Sequence, residues 1–123
     1  MPVIPAPPAP THDLPHARFT SLATPSRGSR ETAMWRVTLA PGAEPTPHSL
    51  TREELFFVLA GTAHVTLDGV AATAGPGDAI AVPPGVVFAL ANGGDAPVEL
   101  LCCMPVGGQA RLDGRTFTPP WAE

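Results

Sequence analysis

The chain contains no lysine, and its seven basic residues are arginines spread along the sequence. With a formal net charge of −4 and no basic cluster to neutralise phosphates, the composition argues against nucleic-acid binding. No apolar run approaches the ~20 residues that a membrane-spanning helix needs. The first residues, MPVIPAPPAP, also lack the basic start and apolar segment of a signal peptide. We therefore expect a soluble, cytoplasmic protein.

Cysteine is scarce too, and the two cysteines, Cys102 and Cys103, are neighbours in a strand-like run. Successive side chains of a strand point to opposite faces, and a disulfide between neighbours requires a strained ring. We expect both to be reduced thiols that serve as small apolar residues, as in a reducing compartment.

Proline and glycine divide the chain into short segments. Residues 1–30 are rich in proline and predict an N-terminal arm followed by an irregular wrap. From Glu31 onward the sequence predicts short strands between turns, with Asp68-Gly69 as a hairpin turn. The predicted strands are 34–39, 54–60, 63–69, 78–82, 86–92 and 97–104. This spacing, without an amphipathic helix, is typical of an all-β sandwich or barrel over 31–106. Residues 107–123 predict an irregular C-terminal tail, in which Trp121 packs over an opening or an edge.

Two segments carry a family resemblance. Residues 42–61 follow the pattern G-x5-H-x-L-x3-E-x6-G, and residues 77–92 follow G-x5-P-P-G-x2-F-x3-N. They resemble the two motifs of small, single-domain bacterial cupins, which implies a double-stranded β-helix, or jelly-roll barrel. The shape-setting positions also have a physical purpose: Gly42 and Gly61 allow positive φ at turns, and Asn92 can close its own turn.

The resemblance also bears on metal binding. Cupins with a mononuclear metal place two histidines and a glutamate in the first motif and a histidine in the second. The corresponding positions here are His48, Leu50, Glu54 and Phe88, and the two apolar side chains cannot bind a metal. Catalytic zinc usually keeps three protein ligands, and non-haem iron uses two histidines and a carboxylate. We therefore expect no metal and no other cofactor.

The other histidines do not complete this ligand set. His64 alternates with Ala63, Val65 and Leu67, so it is expected on the outside of the barrel. His12 and His16 lie in the irregular N-terminal segment, where we expect them to be exposed to solvent.

The interior is expected to be apolar. Strand alternation places Phe56 and Val58 on the same face as Glu54, and Leu50 and Phe88 occupy the other inward positions. Such a pocket suits a small aromatic or aliphatic ligand. In the alternative case, these large side chains fill the barrel and leave no cavity.

Several functions remain open, and the sequence does not decide whether the protein is an enzyme. The leading hypothesis is a small-molecule-binding cupin with an apolar cavity and an incomplete metal site. A second is a metal-independent isomerase, cyclase or lyase that uses His48 and Glu54 as an acid–base pair. The same two residues could instead be relics that persist as a buried hydrogen-bonded pair. The remaining alternatives are a metal-dependent dioxygenase or isomerase with a reduced ligand set, and a purely structural role.

The strand at 54–60 is apolar on both faces. Phe57 and Leu59 point away from Glu54, and a strand that is apolar on both sides is normally buried on both. The outer face must then be covered by another subunit or by the proline-rich arm. We expect a homodimer.

Overall fold

The computed structural model describes residues 3–123, and nearly all of its regular structure is strand. Its only helical segments are 3₁₀ turns at Pro25–Arg27 and Pro120–Ala122. Among the described residues, no helix is long and apolar enough to cross a membrane. The strands are β1 (His12–Asp13), β2 (Ala17–Ala23), β3 (Thr32–Leu39), β4 (Ser49–Leu50), β5 (Glu54–Ala60), β6 (Ala63–Leu67), β7 (Val70–Ala74), β8 (Ala79–Val82), β9 (Phe88–Ala91), β10 (Val98–Pro105), β11 (Ala110–Leu112) and β12 (Arg115–Phe117).

The strands form a jelly roll, as predicted. One sheet has six strands in the order β1-β2-β3-β10-β5-β8, and two smaller sheets have the orders β12-β11-β4 and β7-β6-β9. All of the strand pairs are antiparallel. An isolated bridge between His48 and Phe88 connects the two smaller sheets. The chain leaves and re-enters the large sheet several times, which is how a jelly roll closes its core.

The predicted strands agree with the observed ones. The strand at 54–60 coincides with β5, and the other five differ at their ends by no more than two residues. In β5 and β10 buried and exposed side chains alternate along the strand. The inward set forms one core cluster that includes Trp35, Phe56 and Leu100. Alternation thus decides which side chains can reach the interior.

Three predicted turns are confirmed. Asp68 and Gly69 both have positive φ, 49° and 79°, as a two-residue hairpin turn requires. Gly61 has φ of 78°, and a Cβ atom there would lie 2.4 Å from the carbonyl oxygen of Pro97. Asn92 closes its own loop, because its side-chain oxygen accepts a hydrogen bond from the Gly94 amide at 3.1 Å.

The N-terminal segment differs from the prediction. Residues 11–30 are not an irregular wrap, because β2 joins the large sheet by pairing with β3 over most of its length. Pro15 and Pro25 stand on either side of β2, so neither removes a hydrogen bond from the ladder. The prolines mark the ends of this strand rather than its absence. The first two residues of the predicted arm lie outside the described residues.

The C-terminal segment also differs from the prediction. Residues 107–123 contain β11 and β12, and β11 pairs with β4. Asp113 and Gly114 form the turn between them, with φ of 51° and 75°. This Asp-Gly pair is the same hairpin signal as Asp68-Gly69, and the prediction of an irregular tail is wrong for residues 110–117.

The outer face of β5 is exposed in the single chain. Leu55, Phe57 and Leu59 retain 45 %, 43 % and 40 % of their exposure. The proline-rich arm does not cover them. It lies instead against the 3₁₀ turn that follows β2, where the Arg27 side chain donates a hydrogen bond to the carbonyl oxygen of Pro5.

Candidate functional site

A partly open cavity of about 530 Å³ lies inside the barrel. Strands of the large sheet contribute Trp35, Phe56 and Cys102 to its wall, and Phe88 comes from β9. The C-terminal segment closes part of it with Phe117 and other apolar residues. The alternative in which side chains fill the barrel is therefore wrong. A cavity of this size can hold a small organic molecule.

Glu54 is the one buried carboxyl group among residues 3–123. It begins β5, faces the cavity and is only 5 % exposed. Within the described chain its carboxyl group has no hydrogen bond and no ion pair. Burial raises the pKa of Glu54 from its usual value of 4.5 to about 8, because the charged form loses its hydration. At neutral pH the group is mainly a protonated acid, which can donate a hydrogen bond.

The Cys102 thiol lies in the same wall and is expected to be unreactive. Burial raises the pKa of Cys102 well above its usual range, and the charge of Glu54 and then that of Cys103 add to the effect. A thiol held in its protonated form is a poor nucleophile. Cys103 is half-buried on the opposite face of β10, and both thiols are free.

His48 precedes β4 and lines the cavity on the side of Phe88. Its Nδ1 atom lies 2.7 Å from the carbonyl oxygen of Thr46. Because a carbonyl oxygen can only accept a hydrogen bond, Nδ1 must carry the proton, and in the neutral ring Nε2 keeps its lone pair. The ring also packs on Phe88, with 4.4 Å between the ring centroids.

His48 and Glu54 line the same cavity without a hydrogen bond between them in the described chain. No hydrogen bond or ion pair between them occurs in the described chain, so the hydrogen-bonded pair considered as a relic is not formed. The backbone of Thr46 satisfies the imidazole, and the carboxyl group is left without a protein partner.

Three of the four predicted pocket residues line the cavity. Leu50, Phe56 and Phe88 do so, and the Phe56 and Phe88 rings lie 5.8 Å apart. Val58 is fully buried but packs into the solid part of the core and is not part of the wall. Alternation along β5 gives its inward direction correctly, but it does not tell which inward side chains meet empty space.

The remaining histidines and Trp121 occupy different places. His64 is exposed, as predicted. His16 is exposed as well but contributes to the cavity wall, which the sequence did not indicate. Trp121 stacks on Phe19, with ring centroids 3.6 Å apart and planes within 7°, and both rings line the cavity. A strand at β2 is the feature that places Phe19 in the wall, and recognising this strand would indicate the stack. The prolines on either side of β2 argue against a strand in the sequence.

The donor atoms do not fit a mononuclear metal. Among the described residues, no three His, Cys, Asp or Glu side chains are placed to hold one ion together. The side chains of Leu50 and Phe88 occupy the positions where further ligands would stand, and both are buried. His48 and Glu54 alone would give a metal two protein ligands, fewer than such centres usually have.

These features define a class of protein: a jelly-roll barrel around an aromatic-lined cavity with one buried acid. The family model described as Cupin domain matches residues 35–104, which is more than half of the chain. The chain therefore belongs to the cupin domain family. An uncharacterised protein of Methanocaldococcus jannaschii, MJ1618, is 36 % identical over 53 residues, which are 43 % of this chain and 42 % of that protein. The chain thus spans less than half the length of the curated relative that it matches.

Solved structures of other proteins share the fold. The polyketide cyclase RemF from Streptomyces resistomycificus has a TM-score of 0.72 at 22 % identity, over 85 % of this chain and 76 % of that chain. KdgF from Halomonas sp. has a TM-score of 0.64 at 24 % identity, over 79 % of this chain and 86 % of that one. Salicylate 1,2-dioxygenase from Pseudoaminobacter salicylatoxidans has a TM-score of 0.71 at 17 % identity, covering 86 % of this chain but 31 % of that chain. At such identities the likeness concerns the fold alone.

The burial of Glu54 predicts how stability depends on pH. Because the folded protein holds the proton more tightly than the unfolded chain, the contribution of Glu54 is most favourable below about pH 4.5. It declines as the pH rises towards 8 and then levels off. Relative to Glu54→Gln, wild-type protein should lose roughly 3–5 kcal/mol of unfolding free energy between about pH 4 and pH 9. Urea unfolding at a series of pH values measures this difference.

The exposed neighbour Glu53 provides the matched control. Glu53→Gln should keep the wild-type pH dependence, since this change leaves the buried acid in place. If Glu54→Gln and wild type kept a constant difference across the whole pH range, Glu54 would not be protonated at neutral pH.

Proposed function

We propose that this cupin binds a small, largely apolar molecule in its cavity and does so without a resident metal. The observation that carries the proposal is the cavity of about 530 Å³ with a buried, unpartnered carboxyl group in its wall. An apolar pocket with one or two polar groups that fix orientation is the usual form of a small-molecule site. Leu50 and Phe88, which stand at the family's ligand positions, add apolar surface to that pocket.

The wall favours an aromatic ligand. The Phe19 and Trp121 rings are stacked with nearly parallel planes, and the Phe56 and Phe88 rings are tilted against each other by 58°. Aromatic side chains bind planar ligands through stacked and edge-to-face contacts. The likeness of the fold to a polyketide cyclase is compatible with a ligand of this type.

A second candidate function is acid–base catalysis without a metal, and the tautomer of His48 favours it. The hydrogen bond to Thr46 leaves Nε2 of the neutral ring able to accept a proton. Glu54, whose pKa is about 8, can donate its proton to a ligand carbonyl oxygen. As His48 takes a proton from the carbon next to that carbonyl, Glu54 gives one to the oxygen, and an enol results. Return of the two protons completes an isomerisation or an exchange.

The third candidate, a metal-dependent dioxygenase or isomerase, has the least support. It requires further ligands at the positions of Leu50 and Phe88, where the side chains have no donor atom.

We also propose that the protein works as a homodimer through the outer face of β5. Phe57 pairs with Leu101 of β10 and Ala79 of β8, so the apolar surface continues across three strands. On the same sheet Arg36 and Glu99 neutralise each other at 2.8 Å, which leaves a face with little net charge. Such a face suits a second copy of itself in a two-fold arrangement.

The binding proposal predicts uptake of an uncharged apolar fluorophore. N-phenyl-1-naphthylamine should gain fluorescence in the presence of the protein, with a dissociation constant of roughly 10–200 µM. Ala17→Trp, which places a large ring in the wall, should weaken binding at least about tenfold because it removes cavity volume. Fluorescence titration measures both.

The control is Ala72→Trp, which places the same side chain on an exposed strand away from the cavity and should bind as wild type does. Equal weakening in both variants, or no uptake by wild type, would contradict the proposal.

Elemental analysis of the same untagged sample, purified without chelator, should find no stoichiometric metal. One metal per chain that is lost in His48→Ala would favour the metal-dependent alternative.

The catalytic candidate predicts proton exchange on a bound ketone. Deuterium uptake at the carbon between the ring and the carbonyl of 2-tetralone, followed by NMR in D2O, should be at least about tenfold faster with wild-type protein than in buffer. His48→Ala and Glu54→Leu should each return the rate to that of buffer, while His64→Ala, on the outside, should not change it. No acceleration by wild type would leave the cavity a binding site only.

The dimer proposal predicts a change of mass in solution. Wild type should elute as a dimer in size-exclusion chromatography with light scattering. Phe57→Glu should raise the dimer dissociation constant at least about thirtyfold, because it buries a charge in an apolar interface. Val70→Glu, at a position 70 % exposed on β7, should remain dimeric. A monomeric wild type would sink the proposal.

A further inference from the structure

Among the described residues, the cavity wall contains no lysine or arginine. Its basic side chains are the imidazoles of His16 and His48, and its acidic ones are the carboxyl groups of Glu44 and Glu54. Arg115 stacks over the Phe117 ring at 5.6 Å from its centroid, but it is exposed and lies outside the wall. A carboxylate or phosphate that entered would leave water without gaining a lysine or arginine partner, and such transfer is costly.

Glu54 has no hydrogen-bond partner within the described chain, and a bound ligand could provide one. A buried polar group without a partner costs stability, and a ligand that satisfies it gains affinity. The described chain offers its carboxyl group none, and the group faces the empty space. In its protonated state, which burial favours, Glu54 presents an O–H that a ligand oxygen can accept.

The surrounding surface then limits the shape and polarity of the remainder of the ligand. Trp35, Phe56 and Phe88 line the cavity together with the Phe19–Trp121 stack. These rings offer broad, flat contacts and few hydrogen bonds. A ligand that fits them is planar and apolar apart from the group near Glu54.

From these observations we infer the ligand class: an uncharged, planar molecule whose carbonyl oxygen accepts a hydrogen bond from Glu54, with carboxylate- and phosphate-bearing molecules rejected. The inference rests on the proposed binding function. It adds that the site recognises a ligand carbonyl group and rejects anionic ligands. It needs no metal and no chemical step.

A matched series of naphthalene derivatives tests this inference. The probes are 2-acetylnaphthalene, the hydrocarbon 2-isopropylnaphthalene, the anion 2-naphthoate and the cation 2-naphthylmethylammonium, and competition with the fluorophore measures their affinity. At about pH 6, two units below the pKa of Glu54, the ketone should bind roughly three- to tenfold more tightly than the hydrocarbon. The anion should bind at least about tenfold more weakly than the hydrocarbon.

Variants assign the preference to Glu54. Glu54→Gln, whose amide still donates a hydrogen bond, should keep the preference for the ketone. Glu54→Leu should reduce the ketone to the affinity of the hydrocarbon. Glu53→Leu, at the exposed neighbouring position, should behave as wild type.

The outcomes distinguish a failure of the ligand class from a failure of the binding function. Equal binding of ketone and hydrocarbon, or tightest binding of the naphthoate or the ammonium ion, would overturn the ligand class while leaving a binding function intact. If none of the four probes binds, the proposed function fails as well.

Discussion

The cavity is governed by one constraint, a carboxyl group buried in its wall without a hydrogen-bond partner in the described chain. Glu54 stands at the first position of β5, where strand alternation directs it inward together with Phe56. Burying a charge there is costly, so the pKa of the group rises to about 8 and it keeps its proton up to about that pH. The polarity of the cavity follows in part from this: the wall has a buried hydrogen-bond donor at one point, and most of its remaining surface is apolar.

The barrel was predictable because its signals are local. Short apolar runs that end at turn residues gave strand bounds within two residues, and the family motifs gave the topology that joins them. The prediction lacks β4 and β7 as well as the strands of the two flanks. In the N-terminal flank, proline counts as evidence against a strand. Pro15 and Pro25 border β2 without interrupting it, and the prolines that follow β12 do the same for that strand. A proline excludes a strand only where its missing N–H is needed by a partner.

The site was predictable only in part, because its wall includes residues that lie far apart along the chain. Leu50, Phe56 and Phe88 follow from the period of two, which decides the face on which a side chain lies. His16 and Trp121 reach the cavity from segments far apart in sequence, and their positions depend on how β2 joins the large sheet. The empty volume could not be predicted either, since Val58 and Phe56 have the same inward direction and only Phe56 meets the cavity. Packing in three dimensions decides that difference.

The apolar side chains at the two positions that the resemblance assigns to metal ligands belong to the same apolar surroundings as the acid. In cupins with a metal, the resemblance assigns imidazole ligands to the positions of Leu50 and Phe88, and the cation that they help to hold would stabilise a charged Glu54. Here Leu50 and Phe88 have no donor atom, and both are buried and add apolar surface to the cavity that Glu54 faces. Burial takes the charged form of Glu54 out of its hydration, and the pKa of the group rises. With apolar side chains at those two positions, Glu54 is a mainly protonated acid in a largely apolar cavity.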